Sequence, residues 1–511
     1  RMTTHAPLLG QDPAYLRSRI DSLLYENIPG KIVRQRDITH QGYPGYDILN
    51  KTRRGDYQRY RILITPLEVW VFKVGGTGDF AKGKDGDKFL ESLELEPYVS
   101  RGWQTFQPAS GGFEVELPGT VRYEKVAGNP GRYFQDDILQ AFDPSNGHYY
   151  LLVRASMHDF EYIEEDTFEL NRLAESVAED LGYESHDRSL GTWKGYPYLQ
   201  ARLSRETRPD LFLRILIRGG HYYLMMARTP EVPERFFTSF RVAPNHYADT
   251  ASLKQDSLLQ FSVHSVAESR NNADRARRFT RFLELDNDKP TDHTNLSRST
   301  EYSYPKTGER IGIQYWRMHK FHQVKDTAEL WEKHLENLTN DGDLVVRSRH
   351  SDTLQGMPTL DVELTDTNSI RCIRSRSILK ERVLYTLWTM GDTLSASTPL
   401  VEAFFDSFRP SDSTVLPSVF EDKADQLMAD ILSADSATQA QARDALGRVT
   451  LEDRHASEVM QLIEDFEYRD GLEPLNKAHL IQKLGDVHAK AVVPYLEDLY
   501  DRVGDTATFQ F

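Results

Sequence analysis

Residues 195–242 read GYPYLQARLSRETRPDLFLRILIRGGHYYLMMARTPEVPERFFTSFRV, and this stretch shows the pattern that decides the fold. Two runs rich in strand-forming residues, 211–217 and 221–227, are separated by Gly219-Gly220, so they predict a β-hairpin. A proline-containing loop follows, and the aromatics of segment 236–240 then recur at the spacing of one face of a short helix. The stretch therefore predicts a hairpin closed by a helix.

The same order of segments occurs twice more in the chain. Gly42-Tyr43-Pro44 and Gly356-Met357-Pro358 correspond to Gly195-Tyr196-Pro197, and each precedes two strand-like runs and an aromatic segment. These runs and segments are 60–64, 69–72 and 89–95 upstream, and 373–379, 383–388 and 404–409 downstream. A segment with apolar residues at helical spacing precedes each Gly-x-Pro, at 13–27, 165–181 and 326–338. The sequence thus predicts a repeated unit of helix, strand, Gly-x-Pro turn, hairpin and closing helix.

The repeat divides the chain of 511 residues into four predicted parts. They are a truncated αβ module at 1–97, a complete αβ module at 98–246, a diverged αβ module at 247–413 and a helical domain at 414–511. The first module has the shortest segment before its Gly-x-Pro, so we expect Arg1 to be a boundary or processing point within a longer protein. The polar stretch 268–298 is interpreted as a charged loop or an edge hairpin.

The period of the apolar residues changes after about residue 417. Helical blocks are predicted at 424–432, 437–449, 456–466, 475–484 and 489–499, with short breaks at Gly, Asp or Pro. Residues 415–511 contain 19 Asp and Glu against 9 Lys and Arg, a net charge of −10, out of −16 for the whole chain. The predicted fold class is therefore α+β, with two to three tandem modules of antiparallel sheet and packed helices, followed by an all-α segment.

Charge and composition exclude several classes of protein. The net charge of −16 argues against a broad nucleic-acid surface, because phosphate binding needs clustered Lys and Arg. No run approaches the ~20 apolar residues of a membrane span. The one cysteine, Cys372, excludes an intramolecular disulfide and a multi-cysteine metal site, and we interpret it as a small buried residue in a strand.

No catalytic, cofactor-binding or metal-ligating set emerges from the motifs. The loop from Gly78 to Asp85 resembles a phosphate-binding loop, but Asp85 stands where Ser or Thr would reach magnesium, so a solvated loop is predicted. His319, His322 and His334 lack the spacing of a zinc site and are interpreted as surface or loop residues. The segment from Asp286 to Asp292 lacks the Gly and Glu of a calcium-binding loop.

Aromatic side chains are divided between a predicted core and a predicted contact surface. The core group consists of Trp70, Phe72, Tyr222, Tyr223, Tyr385 and Trp388, which fall where the hairpins meet helices. The contact group consists of tyrosines beside the Gly-x-Pro turns that the strand alternation turns outward: Tyr43, Tyr46, Tyr196 and Tyr198.

The series of strand, helix, Gly-x-Pro, hairpin and Phe-x-x-Ser-Phe, carried by Phe113, Pro118, Gly195, Pro197 and residues 236–240, resembles modules with a PsbP-like fold. The resemblance implies an antiparallel sheet between helices that serves as a binding or assembly platform, and no functional residue carries over from it. The C-terminal helices resemble a HEAT-type repeat, which implies a solenoid of paired helices. The overall make-up is similar to the C-terminal regions of long bacterial envelope proteins, some of which have a TraB/GumN-like N-terminal domain.

The leading hypothesis is a non-enzymatic, multi-domain interaction or scaffold protein of bacterial origin. It rests on the observation that no set of polar residues recurs in every copy, whereas copies duplicated for catalysis should retain at least one catalytic set. A protein or peptide partner is expected, with basic character because the helical end is acidic, and no cofactor or nucleic acid. The alternative is an enzyme, or the regulatory half of one, with a ligand site in the cleft between the second and third modules. The bacterial periplasm or envelope is favoured over the cytoplasm, and the sequence does not indicate an oligomeric state.

Overall fold

The computed structural model describes residues 30–65, 69–95, 102–125, 134–143, 148–157, 160, 162–206, 208–269, 295–339, 342–412, 416–465, 474–485 and 487–503. The predicted helix at 13–27 and the segment from Asp286 to Asp292 lie outside these residues. The described chain combines several antiparallel sheets with helices and ends in a helical segment. This confirms the mixed fold class in its general form.

The first sheet is a four-stranded antiparallel meander, in which neighbouring strands are also consecutive in the chain. Its strands are β1 Lys31–His40, β2 Tyr43–Lys51, β3 Tyr57–Ile64 and β4 Val69–Gly76. A 3-10 turn at Phe80–Lys82 and helix α1 at Lys84–Glu91 follow. Tyr46, Ile48, Tyr60 and Ile62 form the main core of this sheet.

The second sheet has seven strands in the order β10-β11-β12-β13-β9-β8-β7, so a second meander is extended by three earlier strands. Its elements, with the small flanking sheet β14-β6-β5, are β5 Trp103–Phe106, β6 Gly111–Pro118, β7 Thr120–Lys125, β8 Phe134–Asp143, β9 His148–Ser156, α2 Asp166–Leu181, β10 Glu184–Trp193, β11 Tyr196–Arg205, β12 Arg208–Arg218, β13 His221–Arg228, α3 Glu234–Ser239 and β14 Arg241–Asn245. One face packs on α2, and the other packs on β6 and the aromatic residues of α3.

The third sheet repeats this arrangement in the order β17-β18-β19-β23-β22-β21-β20. Its elements, with the small sheet β15-β16-β24, are β15 Ser252–Asp256, β16 Phe261–Ser265, β17 Glu268–Ser269, β18 Leu296–Tyr304, β19 Glu309–Arg317, α4 Thr327–Leu338, β20 Val345–Leu354, β21 Met357–Thr365, β22 Arg371–Lys380, β23 Val383–Asp392, α5 Pro399–Ser407 and β24 Arg409–Pro410. Strand β18 begins inside the stretch that the sequence analysis interpreted as loop or edge hairpin.

The three meanders share the turn between their first two strands. The pairs Gln41-Gly42, Lys194-Gly195 and Gln355-Gly356 each have two consecutive positive φ angles, 49° and 83°, 51° and 89°, and 54° and 81°. Two positive φ angles define a type I′ turn, whose twist matches that of the strands it joins. In all three, the proline of Gly-x-Pro then pairs with a threonine across the hairpin. The Gly-x-Pro motif is thus the second half of a hairpin turn and the start of a strand.

The three meanders also share a polar pair under the closing helix. The directly paired residues are Asp47 and Arg61, Gln200 and Arg214, and Asp361 and Arg376. Each arginine reaches the helix that follows its meander: Arg61 donates to the Leu90 carbonyl, Arg214 lies 4.4 Å from the Phe237 ring centroid, and Arg376 donates to Asp406 over 2.9 Å. A polar cross-strand pair is therefore repeated in all three meanders. This corrects the premise of the leading hypothesis that no polar set recurs in the copies.

The C-terminal segment forms one helical body with its own core. Its elements are α6 Ala424–Ile431, α7 Ser436–Asp444, α8 Ala456–Asp465, α9 Pro474–Gly485 and α10 Val492–Val503, with 3-10 turns at Leu446–Arg448 and Asp453–His455. The core includes Leu427, Val459 and Leu480, together with Phe321 of the third module. Whether these helices stack as a HEAT-like solenoid stays a prediction.

Candidate functional site

The second and third sheets meet where the Gly219-Gly220 turn touches the end of β23. A Cβ atom on Gly219 would lie 3.5 Å from the Asp392 carboxylate and 3.6 Å from the Gly391 carbonyl carbon. A Cβ at position 219 would therefore only reach van der Waals contact with β23, and it is φ of +53° that favours glycine there. The glycine pair that closes the second meander is thus also a contact between the two sheets.

A cavity of about 80 Å³ lies beside this contact. Its walls come from both sheets and from the loop that leads into α5. The lining residues are Arg154, Arg218, Gly219, Gly220, His221, Tyr223, Asn245, Glu309, Arg374, Thr389, Met390, Gly391, Asp392, Ser395, Ala396, Ser397, Thr398 and Val401. Arginine, histidine and carboxylate side chains therefore converge in the cleft, at the place where the alternative hypothesis expects a ligand site.

Both carboxylates of the cavity are engaged with donors. Asp392 is 3% exposed and accepts from the Tyr196 hydroxyl, from two backbone N–H groups and from the Ser395 hydroxyl. Glu309 is 6% exposed and accepts from Asn245, Tyr247, Thr307 and Thr398. These bonds tie the segment after the second sheet to the third sheet, because Asn245 and Tyr247 lie on one side and Glu309 on the other.

Two of the three arginines in the cavity are also paired. Arg154 is 1% exposed, and its guanidinium lies 2.5 Å from Asp137 and donates to the Lys306 carbonyl. Arg374 bonds Glu363, the Ser397 hydroxyl and two carbonyls of the loop before α5. Their charges therefore serve mainly to hold local structure.

Arg218 differs from the other two arginines. Its Nε donates to the Tyr196 hydroxyl over 3.4 Å, and its guanidinium stands 5.7 Å from the centroid of the same ring. Within the described ranges, no carboxylate lies within the 4.0 Å of an ion pair from Arg218. Arg218 lines the cavity and is half-buried, and its terminal nitrogens make no hydrogen bond to the described residues. An arginine that is partly withdrawn from water is ordinarily paired with a carboxylate. The absence of such an ion pair at Arg218 makes this cavity the candidate ligand site.

A second set of contacts joins the two sheets away from the cavity. Asp166, at the start of α2, accepts from the Ser369 hydroxyl, the Ile370 N–H and the Arg371 Nε at 2.6, 2.8 and 3.2 Å. Arg371 also donates to the Tyr222 hydroxyl, which donates in turn to Glu169. Asp166 and Arg371 are each 3% exposed, so this is a buried ionic contact between α2 and the first residue of β22 in the third sheet.

The histidine and the hydroxyl groups of the cavity are not bonded to one another in the part of the chain that the structure describes. His221 bonds the Thr307 carbonyl over 2.9 Å through Nε2, and no described serine, threonine or cysteine in the cavity bonds a histidine. An activated nucleophile needs such a base within hydrogen-bond reach. Nor do the described ranges contain a group of three or more His, Cys, Asp or Glu arranged to hold a metal ion.

The four tyrosines predicted as contacts fall into two groups. Tyr46 and Tyr196 are 3% and 8% exposed and belong to the cores of the first and second sheets, so the expectation that they face outward is corrected. Tyr46 packs with isoleucine and tyrosine side chains of its sheet, and Tyr196 belongs to the aromatic cluster beneath the closing helix of the second sheet. Tyr43 and Tyr198 are half-buried. A contact role for these two stays a prediction.

The other residues considered from sequence are placed as follows. Tyr222, Tyr223 and Tyr385 are buried, and Trp70, Phe72 and Trp388 are half-buried. His319, interpreted from sequence as a surface or loop residue, lies in the loop after β19, where it is buried at 5% exposure and accepts from the Phe321 N–H. Burial lowers the pKa of His334 to about 4.

Cys372 and the loop from Gly78 to Asp85 complete this comparison. Cys372 is fully buried in β22, and burial, followed by the Glu363 carboxylate, raises the pKa of its thiol. In the loop, Lys82 forms an ion pair with Asp79 over 2.8 Å, so its charge is used locally.

Arg218 and Asp392 are site residues that the sequence pattern did not indicate. One signal was available: Arg218 directly precedes the Gly-Gly turn of the second meander, and Asp392 ends the same hairpin of the third. The equivalence of the two hairpins was visible, but their contact was not.

Neither protein-family models nor curated proteins give a match. Among solved structures, the solution structure of cyanobacterial PsbP (CyanoP) from Synechocystis sp. PCC 6803 is 12% identical, covers 30% of this chain and 98% of that chain, and has a TM-score of 0.23. This is a faint similarity to PsbP.

Two further solved structures match this chain, one of an immunity protein of the type VI secretion system and one of a complex of two proteins. The immunity protein TplEi of T6SS from Pseudomonas aeruginosa is 12% identical over 61% of this chain and 98% of its own, with a TM-score of 0.17. A chain of the Tle4–Tli4 complex is 12% identical over 61% of this chain and 99% of its own, with a TM-score of 0.16. At these TM-scores, the matches carry no inference about fold or function.

Proposed function

We propose that this protein is a non-catalytic binding protein whose acidic helical end engages a basic protein or peptide segment. The observation that carries the proposal is the outer face of α10. Val493 and Tyr500 are 63% and 75% exposed on this face, and the exposed carboxylates Glu497 and Asp501 accompany them at helical spacing.

The inner face of the same helix is fully committed to the core. Val492 and Leu499 are buried, and the Tyr495 hydroxyl bonds the Met460 carbonyl and the Glu464 carboxylate of α8. Because α10 is fixed in this way, its outer face is a preformed surface. A tyrosine beside an aliphatic residue, with carboxylates around them, is the chemistry that recognises an apolar side chain flanked by Lys or Arg.

The charge of the helical end supports the same partner. Glu497 and Asp501 have no cation within ion-pair distance among the described residues, whereas Asp498 and Glu464 share Arg502. Free carboxylates attract a cationic partner without first breaking an internal pair. The attraction is screened by salt, since the Debye length falls from about 8 Å at 0.15 M to about 3 Å at 1 M.

The test uses the full chain and a defined probe. The probe is a fluorescein-labelled helical peptide of Lys and Leu, with its Glu and Leu counterpart as the control peptide, read by fluorescence anisotropy. We expect the lysine peptide to bind, the double variant Glu497→Lys/Asp501→Lys to bind it roughly tenfold more weakly, and added salt to weaken binding.

A matched variant controls for total charge. Glu206 and Glu231 are exposed in the second module, so Glu206→Lys/Glu231→Lys changes the net charge equally at another place. Tyr500→Ala tests the apolar part of the surface. Equal loss of binding in both double variants, or binding that salt does not change, would contradict the proposal.

The finer architecture belongs to the same proposal. We infer that residues 98–246 and 247–413 are two αβ modules of one kind, that 1–97 contains part of a third, and that the helices of 414–511 form a HEAT-like array. Shared turns and the shared polar pair support the first two statements.

The bacterial envelope is the proposed location, and fractionation of cells expressing the full-length protein tests it. Among the described helices, none is both long and apolar enough to cross a bilayer.

A further inference from the structure

The geometry of the cavity between the second and third sheets points to a binding site for a small oxyanion, held by the guanidinium of Arg218. This inference goes beyond partner binding by the helical end and does not depend on it. It concerns a different part of the chain and a different class of ligand.

The first step is the position of Arg218. It ends β12 directly before the Gly219-Gly220 turn, next to the place where this turn approaches Gly391. Tyr196 contacts Arg218 in two ways: its hydroxyl accepts a hydrogen bond from Nε, and its ring forms a cation–π contact with the guanidinium. The planar fork of terminal N–H groups is left for a ligand, and such a fork matches two oxygens of a carboxylate, phosphate or sulfate.

The second step is the supply of further donors. The Ser397 hydroxyl lines the cavity and accepts from Arg374 Nη1 over 3.2 Å, so its own proton is available for donation. The two carboxylates of the cavity are each held by several donors, and neither forms an ion pair with Arg218. A negatively charged guest therefore meets donors at the Arg218 side of the cavity.

The third step is size. A cavity needs about 10–15 Å³ to hold one water, so about 80 Å³ holds a group of a few heavy atoms. Phosphate, sulfate and acetate fit this limit, whereas a nucleotide or a peptide chain does not. The shared chemistry is that of a compact oxyanion, and the ions themselves are distinguished by experiment.

The binding test uses equilibrium dialysis of radiolabelled phosphate against the full chain. We expect saturable binding of one phosphate per chain in the wild type and at least roughly tenfold weaker binding in Arg218→Met. Arg202→Met is the matched control, because Arg202 is an arginine of the same meander whose partners, Asp187 and Asp210, lie outside the cavity. Its affinity should stay within about twofold of the wild type. Sulfate and acetate as competitors identify which oxyanion the site prefers.

A second measurement keeps the inference testable if Arg218→Met does not fold. Phenylglyoxal modifies accessible arginines of the native wild-type protein, and peptide mass spectrometry reads each site. We expect the preferred oxyanion to protect Arg218 and not Arg202, while chloride at equal ionic strength protects neither. The inference is overturned if none of the three ions binds saturably, or if Arg218→Met binds phosphate as the wild type does, because Arg218 would then hold no oxyanion. Equal protection by chloride would also overturn it, because the effect would then not be specific to an oxyanion.

Discussion

At the scale of single residues, the carboxylate of Asp47 in the first sheet is surrounded by arginine side chains. Asp47 is fully buried, and Arg59 contacts it through Nη2 at 2.7 Å and through Nε. Arg61, Arg34 and Arg36 stand 3.5–3.7 Å from the same carboxylate. Burial by itself would raise the pKa of Asp47, but the hydrogen bonds and charges of the arginines outweigh it and lower the pKa.

The first prediction follows from this cluster. Asp47→Ala leaves Arg59 buried without its main partner, and the loss of one side of a buried pair typically costs about 3–5 kcal/mol. Hydrogen exchange of β2 and β3 in the full chain should therefore accelerate strongly. Asp56→Ala, at an exposed carboxylate in the turn between these strands, is the control and should leave exchange unchanged.

The pH dependence of the same variant gives a separate readout. Because the folded-state pKa of Asp47 is lowered, its stabilising effect is complete above the ordinary aspartate pKa and is lost as the pH falls through the lowered value. The difference in exchange between wild type and Asp47→Ala should thus be constant from neutral pH to about pH 5 and shrink below about pH 4. A difference that persists undiminished at pH 2 would contradict the role of the charge.

The second prediction concerns His334, which is buried as a neutral ring, whereas Asp47 is buried as a charged group. Its Nε2 lies 2.7 Å from the Ser377 hydroxyl, and burial lowers its pKa from 6.5 to about 4. The unfolded chain binds the proton first, so stability falls as the pH drops from about 6.5 to about 4, by about 3 kcal/mol in total. His334→Gln should remove this part of the pH dependence in thermal denaturation, whereas the exposed His350→Gln should not.

At the scale of elements, the turns explain why three hairpins with different side chains keep the same register. A type I′ turn needs positive φ at two positions, and Gly42, Gly195 and Gly356 supply the second. The first position has positive φ at a residue other than glycine, which costs conformational free energy. The residues there are Gln41, Lys194 and Gln355. The proline that follows then lies opposite a threonine in each copy.

The third prediction isolates the backbone cost of this turn. A Cβ on Gly356 would have nothing within 4 Å, so Gly356→Ala introduces strain at φ of +81° and no clash. We expect a loss of about 1–2 kcal/mol in denaturant unfolding. Gly447→Ala is the matched control, since its surroundings are equally open and its φ is ordinary, and it should be neutral or slightly stabilising. Equal effects of the two changes would show that φ is not the cause.

The fourth prediction concerns the arginine under each closing helix. Arg376 contacts Asp361 of β21 at 2.7 Å, Asp406 of α5 at 2.9 Å and the ring of Phe405 at 5.7 Å. Arg376→Met removes a link between sheet and helix and leaves both carboxylates unpaired. Hydrogen exchange in α5 should rise at least tenfold, which corresponds to about 1.4 kcal/mol. Arg409→Met, at the neighbouring strand, should have a smaller effect on α5.

Elements were predictable from sequence where a local pattern encodes them. The hairpin at Gly219-Gly220, the aromatic closing helices and the C-terminal helical blocks follow from spacing, and the structure has strands and helices close to the predicted segments. Burial of Tyr46 and the cross-strand pair of Gln200 and Arg214 depend on neighbouring strands. The candidate site was not predictable in detail, because it is made by two segments that meet only in three dimensions.

At the scale of the whole molecule, a buried ionic contact joins the second and third sheets. Asp166 and Arg371 are 205 residues apart in sequence, and each makes further hydrogen bonds across the same contact. The bonds of Glu309 and Asp392 add a second point of attachment. The two sheets therefore have polar contacts both within the lining of the cavity and outside it.

The fifth prediction tests whether these sheets unfold as one unit. Asp166→Ala leaves Arg371 buried without its carboxylate, at a cost of about 3–5 kcal/mol to the contact. Calorimetry should show one shared transition for the two sheets in the wild type and two separate transitions in the variant. Glu175→Ala, which removes an exposed pair with Arg188, should keep the shared transition. A single transition in Asp166→Ala would mean that other contacts suffice to couple the sheets.

The distance in sequence between Asp166 and Arg371 also sets an order of events during synthesis. Every strand pair of the second sheet lies within residues 120–228, so this sheet can form while later residues are still being added. Arg371 leaves the ribosome well after that, and until then Asp166 sits at the start of a finished helix without its cation. The nascent chain thus passes through a stage in which the second sheet is complete and its partner surface is bare, and that stage is the point at which a chaperone would meet this protein.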